Sequence, residues 1–377
     1  MITSDILPRG EALLEEATSR HKEAIVTTVL GDVAPESLGH IAFHEHLLSD
    51  LRPRRTDPVQ TVTLDRNEIT LPELYEIRRH DTHDSNLHLD SEEDALAELI
   101  TFRESGGGTL VDLTPPCLGR DPEALRRLSA ESGVHIVMGA GWYVHEFHAP
   151  ELHSLTVQDL AAEAVLDIAA GTNGIRAGVI GEIGLSWPSH MCERHALEAA
   201  ATASRQTGCA LVVHPGRHPN AAFEALQLLV DADADLARTV ISHIERTLFT
   251  LGEILALVEA GLTVSFDLFG NEGSYYPHSD IDMPNDAGRV ELIRALINNG
   301  HADRIVISQD VCSKVRLRRW GGEGYAHILQ RVLPLMRRRG LSEEAIHAIT
   351  HTNPARLLAR HKDLATNEPK RAANTTG

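Results

Sequence analysis

A pair of histidines at the end of a short apolar segment is the first feature of the chain that could do chemistry. His44 and His46 follow the apolar residues 41–43. Side chains alternate along a strand, so both imidazoles are expected on one face and Glu45 on the other. Two imidazoles about 6–7 Å apart on one face suit a single metal ion. An isolated pair of this kind also fits two structural histidines, and the rest of the chain has to decide.

Four more residues that commonly ligate metals stand at or just after the ends of later apolar segments. They are Glu182, His214, His243 and Asp310. Each by itself would be explained as a structural residue. Together with the first pair they make four imidazoles and two carboxylates, the ligand set of two divalent cations. Two cations about 3.5–4 Å apart need an anion between them, so one carboxylate is expected to bridge.

Eight short segments rich in Val, Ile and Leu are predicted to be the strands that position these residues. They cover residues 41–43, 109–113, 135–139, 177–183, 210–214, 239–243, 262–266 and 304–308. A helix is predicted after each, without a break in composition. This order predicts an α/β fold of the (β/α)8 TIM-barrel type, in which the carboxyl ends of the strands carry the chemistry. An open doubly wound sheet would show the same alternation, but no predicted strand is followed by the glycine-rich turn that such sheets normally carry.

The predicted barrel leaves a segment at each end of the chain. Residues 1–37 are interpreted as an N-terminal lead-in, residues 38–360 as the barrel and residues 361–377 as a disordered tail. A long polar stretch with weak periodicity runs from Leu51 to Leu89 and is predicted to be an elaborated loop after the first strand. One catalytic domain is therefore expected.

Composition limits the class of partner. The 377 residues carry a formal net charge of −19, which argues against nucleic acid and anionic membranes as partners. The sequence has no apolar run of the length that a membrane span needs and no signal-peptide pattern at its start. Its four cysteines are widely spaced, which fits a reducing compartment. We therefore expect a cytoplasmic protein that binds neither nucleic acid nor membranes.

Seven motifs together resemble the phosphotriesterase family of the amidohydrolase superfamily, and more closely its phosphotriesterase-related proteins. The resemblance covers about residues 31–358. The motifs are Phe43-His-Glu-His46, residues 174–184, Val213-His-Pro-Gly-Arg217, Ser242-His243, Asp280-Ile-Asp-Met-Pro284, Gly321-Gly-Glu-Gly-Tyr325 and Thr352-Asn-Pro-Ala355.

The resemblance implies how two metal ions would be held. His44 and His46 with Asp310 would bind the more buried ion, and His214 with His243 the more exposed one. Zinc is the first expectation for both, although sites of this composition also accept manganese, cobalt or iron. Homodimers are common in the family, and no residue of the chain decides this point.

The chain departs from the family pattern at the bridging residue. True phosphotriesterases bridge the metals with a carbamylated lysine on the fourth strand, whereas this chain has Val179-Ile-Gly-Glu-Ile183, with Glu182 one position beyond the lysine's place. A glutamate can bridge directly. A one-residue offset reverses the strand face, so the bridge requires a local bulge. The alternative is a glutamate behind the ligands, with water as the bridge.

The resemblance also implies a hydrolytic mechanism. A metal-bridging hydroxide would attack the substrate, and Asp310 would be the catalytic group that accepts its proton and passes it on. Four residues are predicted to bind the substrate: Tyr143, Arg217, Lys314 and Arg316. The last two lie in a basic loop suited to recognising a carboxylate or sulfonate.

The related proteins point to cleavage of an amide (N-acyl) bond in a small anionic substrate. A lactonase or carboxylic ester hydrolase is the second hypothesis. A phosphotriesterase is the third, because a basic loop is poorly matched to a neutral triester. A non-catalytic binding protein would be expected to have lost a ligand or the acid, and all six positions are present.

Overall fold

Eight parallel strands, each hydrogen bonded to the next one along the chain, form the centre of the fold. The computed structural model describes residues 24–52, 69–80, 83–273, 276, 279 and 281–361. The first and last strands meet where the backbone N–H of Asp310 donates to the carbonyl of His44 at 3.1 Å. The sheet thus nearly closes into a barrel, and the predicted (β/α)8 fold is confirmed. Strands β1 to β8 are His40–Glu45, Gly107–Asp112, His135–Ala140, Val179–Gly184, Leu211–His214, Thr239–Ile241, Thr263–Phe266 and Ile305–Ile307.

Helices cover the outside of the barrel. Leu99 and Phe102 from the helical layer share one buried apolar cluster with strand residues such as Leu110, while Ile41 and Phe43 belong to a second cluster, made mainly of strand residues. None of the helices in the described part of the chain combines the length and apolar character needed to cross a membrane. Helices α1 to α11 are Leu74–His80, Glu92–Glu104, Pro122–Ser132, Val157–Ala169, Met191–Thr207, Ala221–Asp231, Leu251–Glu259, Asp286–Asn298, Leu333–Arg338, Glu343–His347 and Asn353–Leu358.

Local sequence signals explain several helix ends. At the start of α3 the side chain of Asp121 accepts a hydrogen bond from the N–H of Ala124 at 3.0 Å, and Pro122 occupies the first helical position. A proline is tolerated there because its missing N–H would have no partner within the helix. The same helix ends at Gly133, whose φ of 71° favours glycine.

Two strands gain one residue relative to a neighbour just before their carboxyl ends. In β1 the extra residue lies between Ala42 and Glu45, and in β4 it lies between Ile180 and Ile183. An inserted residue of this kind moves the following side chains to the other face of the sheet. The bulge that a bridging Glu182 requires is therefore present.

A short antiparallel sheet lies next to the barrel strands. Ala24–Thr28 pairs with Gly31–Val33 and with Arg360–His361, and Val26 is buried in the same apolar cluster as Phe43. The preceding part of the predicted lead-in and the predicted tail from residue 362 onward lie outside the described residues.

The predicted elaborated loop after the first strand contains regular structure. Ser49–Asp50 pairs in antiparallel fashion with His88–Leu89, and α1 lies between these two strands in the sequence. The backbone N–H of Leu51 donates to the carbonyl of Leu87 at 2.8 Å. Both ends of the loop are therefore tied together beside β1.

The bulge in β4 depends on Gly181. This residue has a φ of 145°, and a Cβ added to it would lie 2.8 Å from the backbone oxygen of Val212. We expect Gly181→Ala to lower the free energy of unfolding by about 1–3 kcal/mol because the backbone must leave its conformation. Thermal unfolding measures this, with Gly252→Ala as the control, since a Cβ there meets no described atom within 4 Å. Equal melting temperatures for the two variants would contradict the conclusion that the bulge in β4 depends on Gly181.

Candidate metal centre and active site

The carboxyl ends of the strands bring the six predicted metal-ligating residues together. Glu182 on β4 lies in the middle of the set. Its Oε1 is 2.8 Å from Nε2 of His44 and 3.8 Å from Nε2 of His243, and its Oε2 contacts Nδ1 of His214. One carboxylate thus contacts or approaches histidines from three other parts of the barrel.

Asp310, after β8, approaches two of these histidines, His44 and His243, and also His46. Its Oδ1 lies 3.2 Å from Nε2 of His46 and 3.8 Å from Nε2 of His44. Its Oδ2 lies 3.8 Å from Nδ1 of His243. The six residues therefore form one continuous cluster.

Two groups in this cluster have ligand atoms close enough to share a metal ion. His44, His46 and Asp310 form one group, which matches the set expected for the more buried ion. His44, Glu182 and His243 form the other. His44 is common to both groups. His214, which was expected to share the second ion with His243, belongs to neither group but contacts Glu182, and its Nδ1 lies 3.0 Å from Nε2 of His243.

The chemistry of these donor atoms fits metal ions. Nε2 of His44 is buried and makes no well-directed hydrogen bond to any residue that the structure describes, although an oxygen of Glu182 is 2.8 Å away. A buried ring nitrogen left in this way is costly unless a ligand satisfies it. Imidazole and carboxylate donors together suit zinc and other divalent transition metals.

Charge states within the cluster differ from residue to residue: neighbouring carboxylates outweigh burial and raise the pKa values of His44, His46 and His243. Burial opposes the ionisation of Glu182 and Asp310, but the neighbouring histidines outweigh it and hold both pKa values below the usual range. Burial outweighs the nearby Glu182 carboxylate at His214 and holds the pKa of that imidazole well below its usual value. The carboxylates are therefore anionic and His214 is neutral, which are the forms that bind metals.

Asp267, immediately after β7, was not among the predicted site residues. Its Oδ2 accepts from Nδ1 of His44 at 3.0 Å, and its Oδ1 accepts from Nδ1 of His243 at 2.7 Å. These bonds place the proton on Nδ1 and leave Nε2 of each ring available as a ligand atom. The residue type and its position at a strand end were a usable signal, because the other site residues stand at equivalent places.

Backbone strain accompanies two of the candidate ligands. His243 and Asp310 have φ values of 54° and 52°, in a region that residues other than glycine rarely adopt. The N–H of His243 donates to Asp267 Oδ1 at 2.8 Å, and Nη1 of Arg316 donates to the carbonyl of Asp310 at 3.0 Å. Strain of this kind persists only where surrounding contacts hold it, and it is concentrated at functional sites.

Glu45, between the two histidines of β1, holds the loop that carries Asp310. Its carboxylate accepts hydrogen bonds from Ser308 Oγ at 2.7 Å and from the N–H groups of Gln309 and Val311, both at 2.8 Å. Burial raises the pKa of Glu45 to about 7 against the effect of these donors. The alternation of side chains predicted that Glu45 would point away from the histidines, but its contact with the segment after β8 was not predictable from spacing.

A cavity of about 480 Å³ opens above the cluster, and Tyr143, Arg217 and Arg316 line it. The ring of Tyr143 packs against His214 with centroids 4.9 Å apart. Arg217 donates from Nε to the hydroxyl of Tyr276 at 3.0 Å. Two of the predicted substrate-binding residues, Tyr143 and Arg217, therefore lie where a small molecule above the cluster would contact them.

Three basic side chains of the loop after β8 form ion pairs with acidic residues of the protein. Lys314 contributes nothing to the cavity lining, and its ammonium group pairs with Asp90 at 2.8 Å. Arg316 does line the cavity, but it pairs with Glu323 and donates to the carbonyls of Asp310 and Phe269, both at 3.0 Å. In this conformation Arg316 fixes Asp310, while Lys314 is directed elsewhere.

Sequence spacing also missed Arg246, three residues after His243. Its Nη2 lies 2.9 Å from Nε2 of His214 and donates to the carbonyl of Pro215 at 2.6 Å. The position after a strand end was a weak signal, because a buried arginine is expected only where partners are present.

Known proteins match this chain over most of its length. Residues 24–358 match the phosphotriesterase family. The N-acetyltaurine hydrolase of Homo sapiens is 40% identical over 340 residues, covering 88% of this chain and 97% of that protein.

Solved structures of other proteins have a similar fold. A resiniferatoxin-binding protein from Rhodobacter sphaeroides is 35% identical, with a TM-score of 0.83 over 89% of this chain and 94% of that one. A variant of a PTE-like lactonase from Deinococcus radiodurans is 25% identical, with a TM-score of 0.68 over 88% and 99%.

The contacts of Asp267 lead to a test of its positioning role. An asparagine has nearly the same shape but only one accepting oxygen, so Asp267→Asn leaves one of the two imidazoles without its partner. We expect a loss of metal affinity of about 10–100-fold, measured by competition with a chromophoric chelator. Asp303→Asn is the control, because Asp303 is 65% exposed. Unchanged affinity in Asp267→Asn would rule out the role.

Proposed function

The chain belongs to the phosphotriesterase family, and we propose that it is a metal-dependent hydrolase that cleaves the amide bond of a small anionic N-acyl substrate. The observation that carries the proposal is the convergence of four histidines and two carboxylates beneath a cavity lined by Arg217. The 40% identity to N-acetyltaurine hydrolases supports the amide bond and makes N-acetyltaurine the first substrate to test.

Members of this family are metal dependent, and the proposed site holds two divalent cations, with zinc as the first choice. His44, His46 and Asp310 would hold one, and His214 with His243 the other. Glu182 would lie between them, because its two oxygens face histidines of both sets. When bound, such cations lower the pKa of a water molecule towards neutrality and polarise the substrate oxygen.

Asp310 is the proposed catalytic acid–base group. Its pKa is held below the usual range, so it is present as a base at neutral pH. It accepts a proton from the attacking water, whose oxygen bonds to the acyl carbon, and returns the proton to the nitrogen as the C–N bond breaks. The products are a carboxylic acid and an amine.

Arg217 is the proposed anion-binding residue. It is partly buried in the cavity wall, and its contact with Tyr276 orients the guanidinium group. Burial raises the pKa of Tyr143, so the hydroxyl stays protonated and can donate to a substrate oxygen. Direct substrate contacts by Lys314 and Arg316 stay predictions.

A second candidate is hydrolysis of lactones or carboxylic esters. The same metal chemistry serves an ester carbonyl, and a PTE-like lactonase shares the fold and 25% of the sequence. Phosphotriester hydrolysis ranks third, because the arginine in the cavity has no anionic partner in a neutral triester.

Metal content tests the centre directly. Elemental analysis of protein prepared without chelators should find about two equivalents of divalent metal per chain. Glu182→Gln should lower both the metal content and the rate, because an amide cannot replace an anion between two cations. Glu131→Gln, an exposed substitution on α3, should leave both unchanged. Normal metal content and rate in Glu182→Gln would refute the bridge.

A substrate panel tests the reaction. N-acetyltaurine, N-acetyl-β-alanine, a γ-lactone, an aryl acetate and a neutral phosphotriester are compared by kcat/KM with the metal-loaded enzyme. We expect the two anionic amides to be the best substrates. A lactone or ester that exceeds both by tenfold would replace the proposal with the second candidate.

Anion recognition is tested by Arg217→Ala. A hydrogen bond to a charged group contributes about 1.5–3 kcal/mol of binding free energy. Its loss should therefore lower kcat/KM for N-acetyltaurine by roughly 10–100-fold. Arg319→Ala is the matched control, because that arginine is exposed and pairs with Asp94. Lys314→Ala tests, in the same assay, the prediction that Lys314 in the basic loop binds the substrate. An Arg217→Ala enzyme with an unchanged KM would contradict the assignment.

A further inference from the structure

The cavity above the proposed metal centre has an apolar wall with no part in the chemistry described so far. Six apolar side chains form this wall. They are Leu51, Ile77, Leu87, Leu118, Val144 and Phe147. All six belong to the loops that follow β1, β2 and β3, and three of them, Leu118, Val144 and Phe147, pack in one buried cluster with Tyr143.

The two charged residues on this side of the cavity are Arg78 and Glu146. The guanidinium group of Arg78 donates to the carbonyls of Trp320 and Gly321 at 2.9 and 2.8 Å. Its charge is therefore held by backbone oxygens of the loop after β8.

The polar side of the cavity comes from other loops. Arg217 follows β5, Arg246 follows β6, and Asn271, Glu272 and Tyr276 follow β7, where Leu268 is the one apolar aliphatic residue of the described lining. The hydroxyl of Tyr276 and the guanidinium group of Arg217 contact each other at 3.0 Å. This polar wall is where the proposed function places the anionic group of the substrate.

Barrel topology sets the two walls opposite each other. The eight strands follow one another around the barrel in chain order, so a strand lies across the axis from the strand four places later. The loops after β1, β2 and β3 therefore face those after β5, β6 and β7. The metal-ligating cluster lies on the floor between them.

We propose that the apolar wall binds the acyl chain of the substrate, and that the preferred substrate is an N-acyl amino sulfonate or carboxylate with an acyl group longer than acetyl. The inference rests on the proposed function. With the anionic group at Arg217 and the amide carbonyl above the metal cluster, the acyl chain points across the floor towards Leu118 and Leu87. A cavity of about 480 Å³ falls in the range of roughly 300–1,000 Å³ that buries drug-sized ligands, and an acetyl group would leave the apolar wall uncovered.

Chain length provides the test. The metal-loaded enzyme is assayed with N-acetyl-, N-butanoyl- and N-hexanoyltaurine, which differ only in the acyl group. Each methylene that the wall removes from water should raise kcat/KM about fourfold. The hexanoyl amide should therefore exceed the acetyl amide by about 16-fold if the wall covers two of the four additional methylenes, and by about 250-fold if it covers all four.

The possible results separate the two proposals. A kcat/KM that is flat or falls from acetyl to hexanoyl overturns the acyl-wall inference and leaves the proposed function in place. No hydrolysis of any of the three amides by enzyme of verified metal content overturns both. A rise that is reproduced with neutral N-acyl amides, and is not altered by trimming the wall, also overturns the inference, because it would reflect general hydrophobicity.

Trimming the wall localises the effect. Leu87→Ala removes a partly buried side chain of the wall, and we expect it to lower kcat/KM for the hexanoyl amide by about fivefold while the acetyl amide changes by less than twofold. Ile77→Ala on α1 serves as a second variant, so that poor folding of one does not decide the test. Leu155→Ala, 37% exposed and outside the cavity lining, is the matched control. Equal losses for both amides in the two wall variants would overturn the assignment.

Discussion

The geometry of the candidate centre depends on the hydrogen bonds that the buried carboxylate of Asp267 accepts. This carboxylate accepts hydrogen bonds from a ring nitrogen of His44 on β1 and from both a ring nitrogen and the backbone N–H of His243 after β6. Three elements are thereby fixed at one point. Because Nδ1 of each ring is used in this way, Nε2 is directed towards Glu182, and the tautomer needed for metal binding follows from the hydrogen bond.

Several carboxylates of the site, those of Glu45, Glu182 and Asp267, are buried. Burial alone would disfavour their charged forms. Histidines compensate Glu182, Asp267 and Asp310, whose pKa values all lie below the usual range, whereas Glu45 has only neutral donors and its pKa is raised to about 7. The candidate centre is therefore an arrangement of carboxylates and imidazoles that compensate one another, and removal of one partner would leave the other buried without compensation.

The basic loop after β8 shows how charge in a sequence differs from charge in a site. Arg316 uses its donors to hold the carbonyl of Asp310 and the turn after β7, and Lys314 pairs with Asp90. Arg217, an isolated arginine in the sequence, also lies in the cavity wall, where its guanidinium group contacts the hydroxyl of Tyr276. Because the strands follow one another around the barrel, the mainly polar lining of the cavity lies opposite the apolar lining. A substrate with one polar and one apolar end is therefore expected to bind in one orientation.

The sequence by itself determined the barrel and the six residues of the candidate centre, because strand periodicity and residues at strand ends are local features. It also determined that Glu182 required a bulge, which β4 contains. Only the tertiary structure decided that Asp267 joins two histidines, that Glu45 holds the loop of Asp310 and that Arg316 is paired internally. Each of these contacts joins elements distant in the chain or depends on which way a side chain turns, and neither spacing nor composition specifies such a pairing.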